Sequence, residues 1–377
     1  MIIRPIVQTD LDALQQIAIE SGPGFTSLVN DRDILAAKIA RSIDSFQRPI
    51  SEPGDEGYLF VLEDPQTGDI MGTTGIEAAV GLTRPLYHYH HSQMVHHSRE
   101  LGLYKRVDVL NLCNHYTGCS EICTLFLRPQ YRRKYAGKLL SLVRFLFMAQ
   151  HPDRFAPTVI AEMRGVCSAH GQSPFWDWLR AHFIDLDFAT VTGLIGAGNN
   201  GFITELMPRC PLYCQLLSDE ARAVIGRVHP QTEPALRILE AEGFRHLGYV
   251  DPIDAGPTVE AELSKIHTVA SSVICPVDIV DAASRRHHPR SPGTTVLLAN
   301  TSVGEFRATI TDLATYRADD NCLLVPASVA LALGLRSGGT ARFTELMSKS
   351  GTGAGGGQSI AGEIQNGSAK EPQYAYR

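Results

Sequence analysis

Hydrophobic and polar positions along this chain follow two periods, and the order of those periods predicts the fold. After a short apolar strand at residues 2–4, Leu11, Leu14, Ile17 and Ala18 recur at helical spacing behind Thr9 or Asp10, either of which suits an N-cap. Residues 31–46 repeat the helical pattern. The runs GYLFVLED and DIMGTTGIEAAVG, joined by a polar turn at residues 65–68, predict a β-hairpin. A strand at 121–127 leads into a helix at 134–150, and a further strand comes at 158–162. SPFWDWLRAHF starts a helix at Pro174, and PALRILEAEGF makes one that Gly243 stops before a last strand, RHLGYVD. That order belongs to an α/β (α+β) protein, a mixed sheet flanked by helices.

Past residues 251–257 the pattern changes. Short β-rich runs with turn signals between them fill residues 271–346, and only ASVALALGL reads as a helix. This spacing predicts a small β-barrel-like module, double-psi-like in its LLVPASVALALGLRSGGTARF stretch. The chain is expected to divide into a main domain at 1–254, the β-rich module at 255–347 and a tail at 348–377. The tail is rich in Gly, Ser and Gln with few core formers, and is expected to be disordered.

Composition narrows the function classes. A chain of 377 residues exceeds the usual ~100–200 per domain, and 44% hydrophobic with 20% charged residues is ordinary for a soluble globular protein. The formal net charge of −6 supplies no general basic field, so no nucleic acid is expected as partner. The N-terminus has no apolar signal region and no run approaches the ~18 apolar residues of a membrane span, so the reading is cytoplasmic with no membrane partner. Eight cysteines without CxxC pairs suit reduced thiols, and no metal site is expected even where Cys113, His115, Cys119 and Cys123 crowd together. The run YHYHHSQMVHH at 87–97 reads as a polar, partly exposed segment. GAGNNG at 196–201 fits the dinucleotide pattern, but Pro208 and Pro211 cut short any element after it, so it reads as a loop.

The stretch EICTLFLRPQYRRKYAGKLL carries the candidate chemistry. A strand that turns through cations into a helix presents unpaired N–H groups and a positive dipole end, which is an anion cradle. Gly137 lets backbone approach a phosphate closely, and Arg132, Arg133, Lys134 and Lys138 add charge, so a pyrophosphate is the expected ligand. On residue types alone, a bare basic helix start fits equally well.

With the Gly-Phe corner at Gly243 and Phe244, this stretch resembles the GCN5-related N-acyltransferase superfamily, whose coenzyme A loop has the form Arg/Gln-x-x-Gly-x-Gly/Ala. Arg132, Tyr135 and Gly137 stand in those places, and Tyr135 departs from the usual first glycine. On a longer view CTLFL, RFLFMA, VIAEMRG, SPFW, FITELMP, AVIGRVHPQTEPA and EGFR are similar to the arginine N-succinyltransferase family, from residue 3 to about 251 and more loosely to about 346. The resemblance implies transfer of succinyl from succinyl-CoA to the α-amino group of L-arginine, as the first step of arginine breakdown. A subunit acting on arginine and ornithine, or a relative using another acyl-CoA, is the alternative. It further implies His229 of the HPQT segment as proton donor, and coenzyme A contacts by Leu125, Leu127, Arg132, Arg133, Ala136, Gly137 and Lys138. No tightly bound cofactor is implied beyond succinyl-CoA as co-substrate, and the assembly is a homo-oligomer or a heterodimer with a related subunit.

The chemistry of such a transfer asks for the same groups. An amine of pKa about 8 or above must lose a proton before it attacks. The tetrahedral oxyanion needs N–H donors, which a splayed strand at residues 125–127 could offer, and the departing thiolate gains from a donor such as His. The carboxylates of succinyl and arginine call for a cation, with Arg164 the most interesting candidate. A guanidinium calls for an acid such as Glu162, Glu205 or Asp177, and residue types do not choose among them.

Overall fold

The two buried isoleucines of the first strand anchor it in one continuous sheet. In the computed structural model, which describes residues 1–346 except 23, 169–170, 281–293, 314–315 and 318–321, Ile3 of β1 (Ile2–Pro5) is fully buried. The tail at 348–377 lies outside the described residues. β1 pairs antiparallel with β2 (Gly57–Glu63), and β2 with β3 (Ile70–Glu77), which is the predicted hairpin. Between β1 and β2 run α1 (Leu11–Ser21) and α2 (Arg32–Gln47). Asp31 caps α2, accepting from the N–H groups of Asp33 and Ile34 at 3.0 and 3.1 Å. Asp10 instead turns to Arg4, 2.7 Å away, and makes no side-chain cap to α1.

Next in the chain come β4 (His88–Ser98), β5 (Leu103–Cys113), β6 (Ser120–Leu127), α3 (Ala136–Gln150) and β7 (Thr158–Glu162). The small helices α4 (Pro174–His182), α5 (Phe188–Gly196), α6 (Phe202–Leu206) and α7 (Asp219–Val224) enclose a second core around Trp176, with β8 (Leu212–Tyr213) among them. GAGNNG falls between α5 and α6, in no strand-to-helix unit. α8 (Glu233–Ala241) ends at Gly243, whose φ of +101° admits the corner, and leads to β9 (Arg245–Val250) and β10 (Pro257–Glu262). Phe244 is buried there, its ring 5.6 Å from that of Phe145 on α3.

The rest comprises α9 (His267–Ser271), β11 (Val273–Val280), β12 (Thr294–Asn300), β13 (Ala308–Leu313), β14 (Tyr316–Arg317), β15 (Cys322–Pro326), α10 (Ala327–Leu333) and β16 (Thr340–Glu345). Among the described residues the strands order as β14-β15-β11-β16-β12-β13-β1-β2-β3-β6-β7-β10-β9-β4-β5-β8. The β-rich segment thus joins the main sheet through Ile3 opposite Ala308, and residues 1–346 form one compact unit. β10, which comes after residue 254, lies between β7 and β9.

The polar segment at 87–97 is strand β4, and with β5 it forms a long hairpin that the periodicity did not predict. Its histidines alternate between faces, so the apolar alternation that marks a strand is absent. Only Tyr89 and His90 pair with β9, and only Val109 and Leu110 with β8, so most of the hairpin stands without a described flanking strand.

Candidate active site

Two neighbouring strands part in the middle of the sheet, and the candidate residues gather around the gap. β6 and β7 run parallel and pair only at Ser120–Val159 and Glu121–Ile160. Beyond that point β6 stays with β3 as far as Leu127, while β7 stays with β10 through Glu162–Thr258. The parting coincides with a bulge: the β3–β6 register shifts between Thr73 and Gly75, and Thr124 takes φ +55°. A left-handed threonine inside a strand is strained, and it re-aims the rest of β6. Leu125 and Leu127 lie just past the bulge, half-buried against the core beneath α3.

The chain then turns and enters α3. Tyr135 is the N-cap residue with φ +70° and ψ −13°, a left-handed conformation that favours glycine. At the place where the resembled loop has glycine, Tyr135 thus takes a backbone shape that glycine adopts without strain. The first helical bond runs from the N–H of Leu139 to the carbonyl of Tyr135 at 2.8 Å, so the N–H groups of Gly137 and Lys138 precede it and have no intrahelical acceptor. Ala136 is buried, and a Cβ on Gly137 would meet only Leu127 Cδ2, at 4.0 Å. Packing does not require that glycine; an approaching ligand would.

The cations divide into two groups. Arg128 bonds Glu20 on α1 at 2.7 Å and Arg133 reaches Asp64 at 3.0 Å, which fasten the turn to its neighbours. Arg132, Lys134 and Lys138 make no ion pair among the described residues, and Lys134 Nζ lies 4.6 Å from the Tyr135 ring. Arg133 is thus the one predicted phosphate ligand already engaged elsewhere.

The far side of the gap is built from the end of β7. Asp254 accepts from the N–H of Gly165 and of Gly256, both at 2.7 Å, and a Cβ on Gly256 would sit 2.1 Å from the Met163 carbonyl, so only glycine fits. His229 donates its N–H to the Arg164 carbonyl at 2.8 Å, next to an isolated bridge between Gly165 and Val228. Its own carbonyl accepts from Thr232 and Glu233, which starts α8, and Nδ1 accepts from the Gln231 N–H at 3.2 Å. With Nδ1 an acceptor, the neutral ring carries its proton on Nε2. Burial and then the Arg164 charge lower the pKa of His229, with the Cys167 backbone opposing them, so the ring is neutral at neutral pH.

Sequence reasoning left the acids open. Glu162 is the one on the site strand, with Oε1 2.8 Å from Nε2 of the fully buried His88, whereas Asp177 on α4 and Glu205 on α6 are exposed. Burial raises the Glu162 pKa to about 8, with Asp251 adding to it, and burial lowers that of His88 to about 4. His88 was not foreseen, because only the pairing of β4 with β9 brings it within reach of Glu162 on β7.

A sequence model of the family described as arginine N-succinyltransferase beta subunit matches residues 1–268, and one for the C-terminal domain of that subunit matches residues 282–345. The chain belongs to the arginine N-succinyltransferase family. The family member from Yersinia pestis (strain Pestoides F) named arginine N-succinyltransferase is 43% identical over 346 residues, covering 92% of this chain and 98% of that one. One from Salmonella paratyphi B is 42% identical, with 92% and 97% covered. The solved arginine/ornithine succinyltransferase subunit AI from Pseudomonas aeruginosa superposes with a TM-score of 0.82 at 33% identity, over 92% of this chain and 99% of that one.

Proposed function

We propose that the chain transfers the succinyl group of succinyl-CoA to the α-amino nitrogen of L-arginine, giving N2-succinyl-L-arginine and coenzyme A. The observation that carries the reading is the gap between β6 and β7, flanked by the α3 N-terminus on one side and His229 on the other, in a member of this family. In this reading the pyrophosphate lies on the N–H groups of Gly137 and Lys138, with Arg132 and Lys138 side chains at its charges. Ala136 and Gly137 keep the approach clear, and Arg133 contributes by holding the turn rather than by touching phosphate.

The pantetheine arm then runs along β6 past Leu127 and Leu125, whose backbone faces a strand that is no longer paired to it. Those N–H groups are available to the thioester oxygen as negative charge develops. The neutral amine attacks the thioester carbon, the C–N bond forms and the C–S bond breaks. The proton that the amine loses is taken up by the neutral His229 ring, and the imidazolium so formed gives one from Nε2 to the departing sulfur, so the ring ends neutral as it began. Succinyl-CoA is a co-substrate and leaves as coenzyme A.

The β-rich segment, expected at 255–347, is read from β11 onward as a barrel-like module that braces the rest of the sheet, supported by its own small core around Val296 and Leu323. The active assembly is read as a homo-oligomer or a heterodimer with a related subunit. The exposed Val95, Leu101, Leu103 and Tyr104 on the β4–β5 hairpin suit such a contact, and sedimentation of the purified chain distinguishes a homo-oligomer from a monomer.

The test is thiol release with L-arginine, using succinyl-CoA and acetyl-CoA at equal concentration. Succinyl-CoA is expected to be preferred, and His229→Ala is expected to bind coenzyme A normally and turn over about a hundredfold more slowly. Release with acetyl-CoA alone overturns the donor, and unchanged turnover in the variant removes His229 from the mechanism.

A further inference from the structure

Four carboxylates share one face of four adjacent strands. Ile122, Val159 and Ala161 point into the core beneath α3, so strand alternation sends Glu121, Ile160 and Glu162 to the opposite face. The ladder sets Glu77 opposite Glu121, Glu121 opposite Ile160, and Ile160 opposite Glu260, with Glu162 opposite Thr258 one step on. Directly opposed like charges are destabilising unless something compensates them.

Compensation is present only at the edges among the described residues. Lys38 and Arg41 of α2 both pair with Glu77, and Tyr116 donates to Glu260. In the middle no ion pair reaches Glu121 among the described residues, and Glu162 meets only His88. Burial, then the charges of Glu162 and Glu77, raise the Glu121 pKa well above the ordinary carboxyl value, with Lys38 opposing them. A second and independent observation points the same way. Among the described residues, Thr258, fully buried beside Glu162, has no partner for its hydroxyl, and Nδ1 of the fully buried His88 likewise has none. The rings of Tyr116 and His88, 5.1 Å apart and edge to face, wall this position.

We infer that the side-chain cation of the acceptor amino acid is held on this face, between Glu121 and Glu162, with Thr258 and His88 beside it. The inference rests on the proposed reaction and assigns the end of the substrate that does not react. His229 is bonded to the backbone at Arg164, two residues beyond Glu162, a separation of about 6–7 Å along a strand. An extended acceptor side chain spans that distance, with its α-amino group at the gap and its guanidinium at the acids. A planar guanidinium offers several N–H donors, enough for two carboxylates and a hydroxyl at once.

The test compares L-arginine with L-citrulline, its uncharged isostere, at saturating succinyl-CoA. Glu162→Gln is expected to raise the KM for L-arginine about tenfold or more while the KM for succinyl-CoA stays within about twofold, and to cut the preference for arginine over citrulline by a similar factor. Glu121→Gln should act in the same direction. An unchanged arginine KM in both variants overturns the assignment. So does a fall in kcat at constant KM, which would make Glu162 a proton-transfer group. Should Glu162→Gln fail to fold, Glu121→Gln and Thr258→Val carry the same comparison. If the wild type releases no thiol with arginine, the proposed reaction fails, and calorimetry with L-arginine on coenzyme A-loaded protein decides the site separately. Binding weakened about tenfold in the variants then supports the site, and equal binding overturns it.

Discussion

At the scale of single residues, Tyr135 shows how far a motif reaches without a structure. The loop pattern was legible through Arg132 and Gly137, yet the tyrosine looked like a departure. Its φ of +70° shows that the backbone kept the glycine shape and the side chain tolerates it. An L-residue there carries strain of about 1 kcal/mol, whereas glycine carries none but loses more entropy on folding. Tyr135→Gly is therefore expected to change stability by less than about 1 kcal/mol, while Tyr135→Val should cost about 1–2 kcal/mol because a β-branched residue fits that region worst. Thermal melts of the two variants check the pair, and equal melting temperatures would contradict the strain argument. Glu162, by contrast, was one of three equivalent acids in the sequence. Its distinction comes from strand register and from His88, contributed by a strand some 70 residues away, and no local pattern encodes either.

At the scale of elements, helix and strand signals were legible wherever one face is apolar and the other polar. Strand β6, helix α3 and the α8 corner all fall where periodicity and glycine placed them. The β4–β5 hairpin escaped because its faces are both polar or mixed. The β-rich segment was legible as strands, but not its dependence on the rest. Phe306 is fully buried with its ring 5.0 Å from Phe147 of α3 and 5.6 Å from Phe60 of β2, and Arg342 bonds Gln150 at the end of α3 at 2.9 Å. The segment thus completes the core under the helix whose other end is the proposed anion cradle. Phe306→Ala is expected to cost about 3–5 kcal/mol, the usual range for a fully buried phenylalanine. Denaturant melts measure it, and a loss below about 1 kcal/mol would mean that the segment packs against the main core without supporting it.

At the scale of the whole molecule, the acids of the cleft tie stability to function. Burial lifts the pKa values of Glu121, Glu162 and Asp254 in the folded protein, Glu162 to about 8. Unfolded carboxyls titrate near pH 4 and unfolded histidine near 6.5, so between about pH 6.5 and 8 the folded state holds protons that the unfolded state has already released. Stability must then fall as pH rises through that interval, by up to about 1.4 kcal/mol per pH unit for each such proton. His88 acts in the opposite sense: its lowered pKa makes the unfolded state bind that proton below about pH 6.5, which offsets part of the acids' effect there. The melting temperature of the wild type is expected to drop between pH 6.5 and 8, and that of Glu162→Gln to drop less, since the amide has no proton to lose. The same variant should be the more stable protein at pH 8 and the poorer binder of arginine, a trade common where a site stores charge for its ligand. A melting temperature that rises steadily to pH 8 in the wild type would show that these acids are already ionised, and that solvent or a neighbouring cation, rather than substrate, neutralises them.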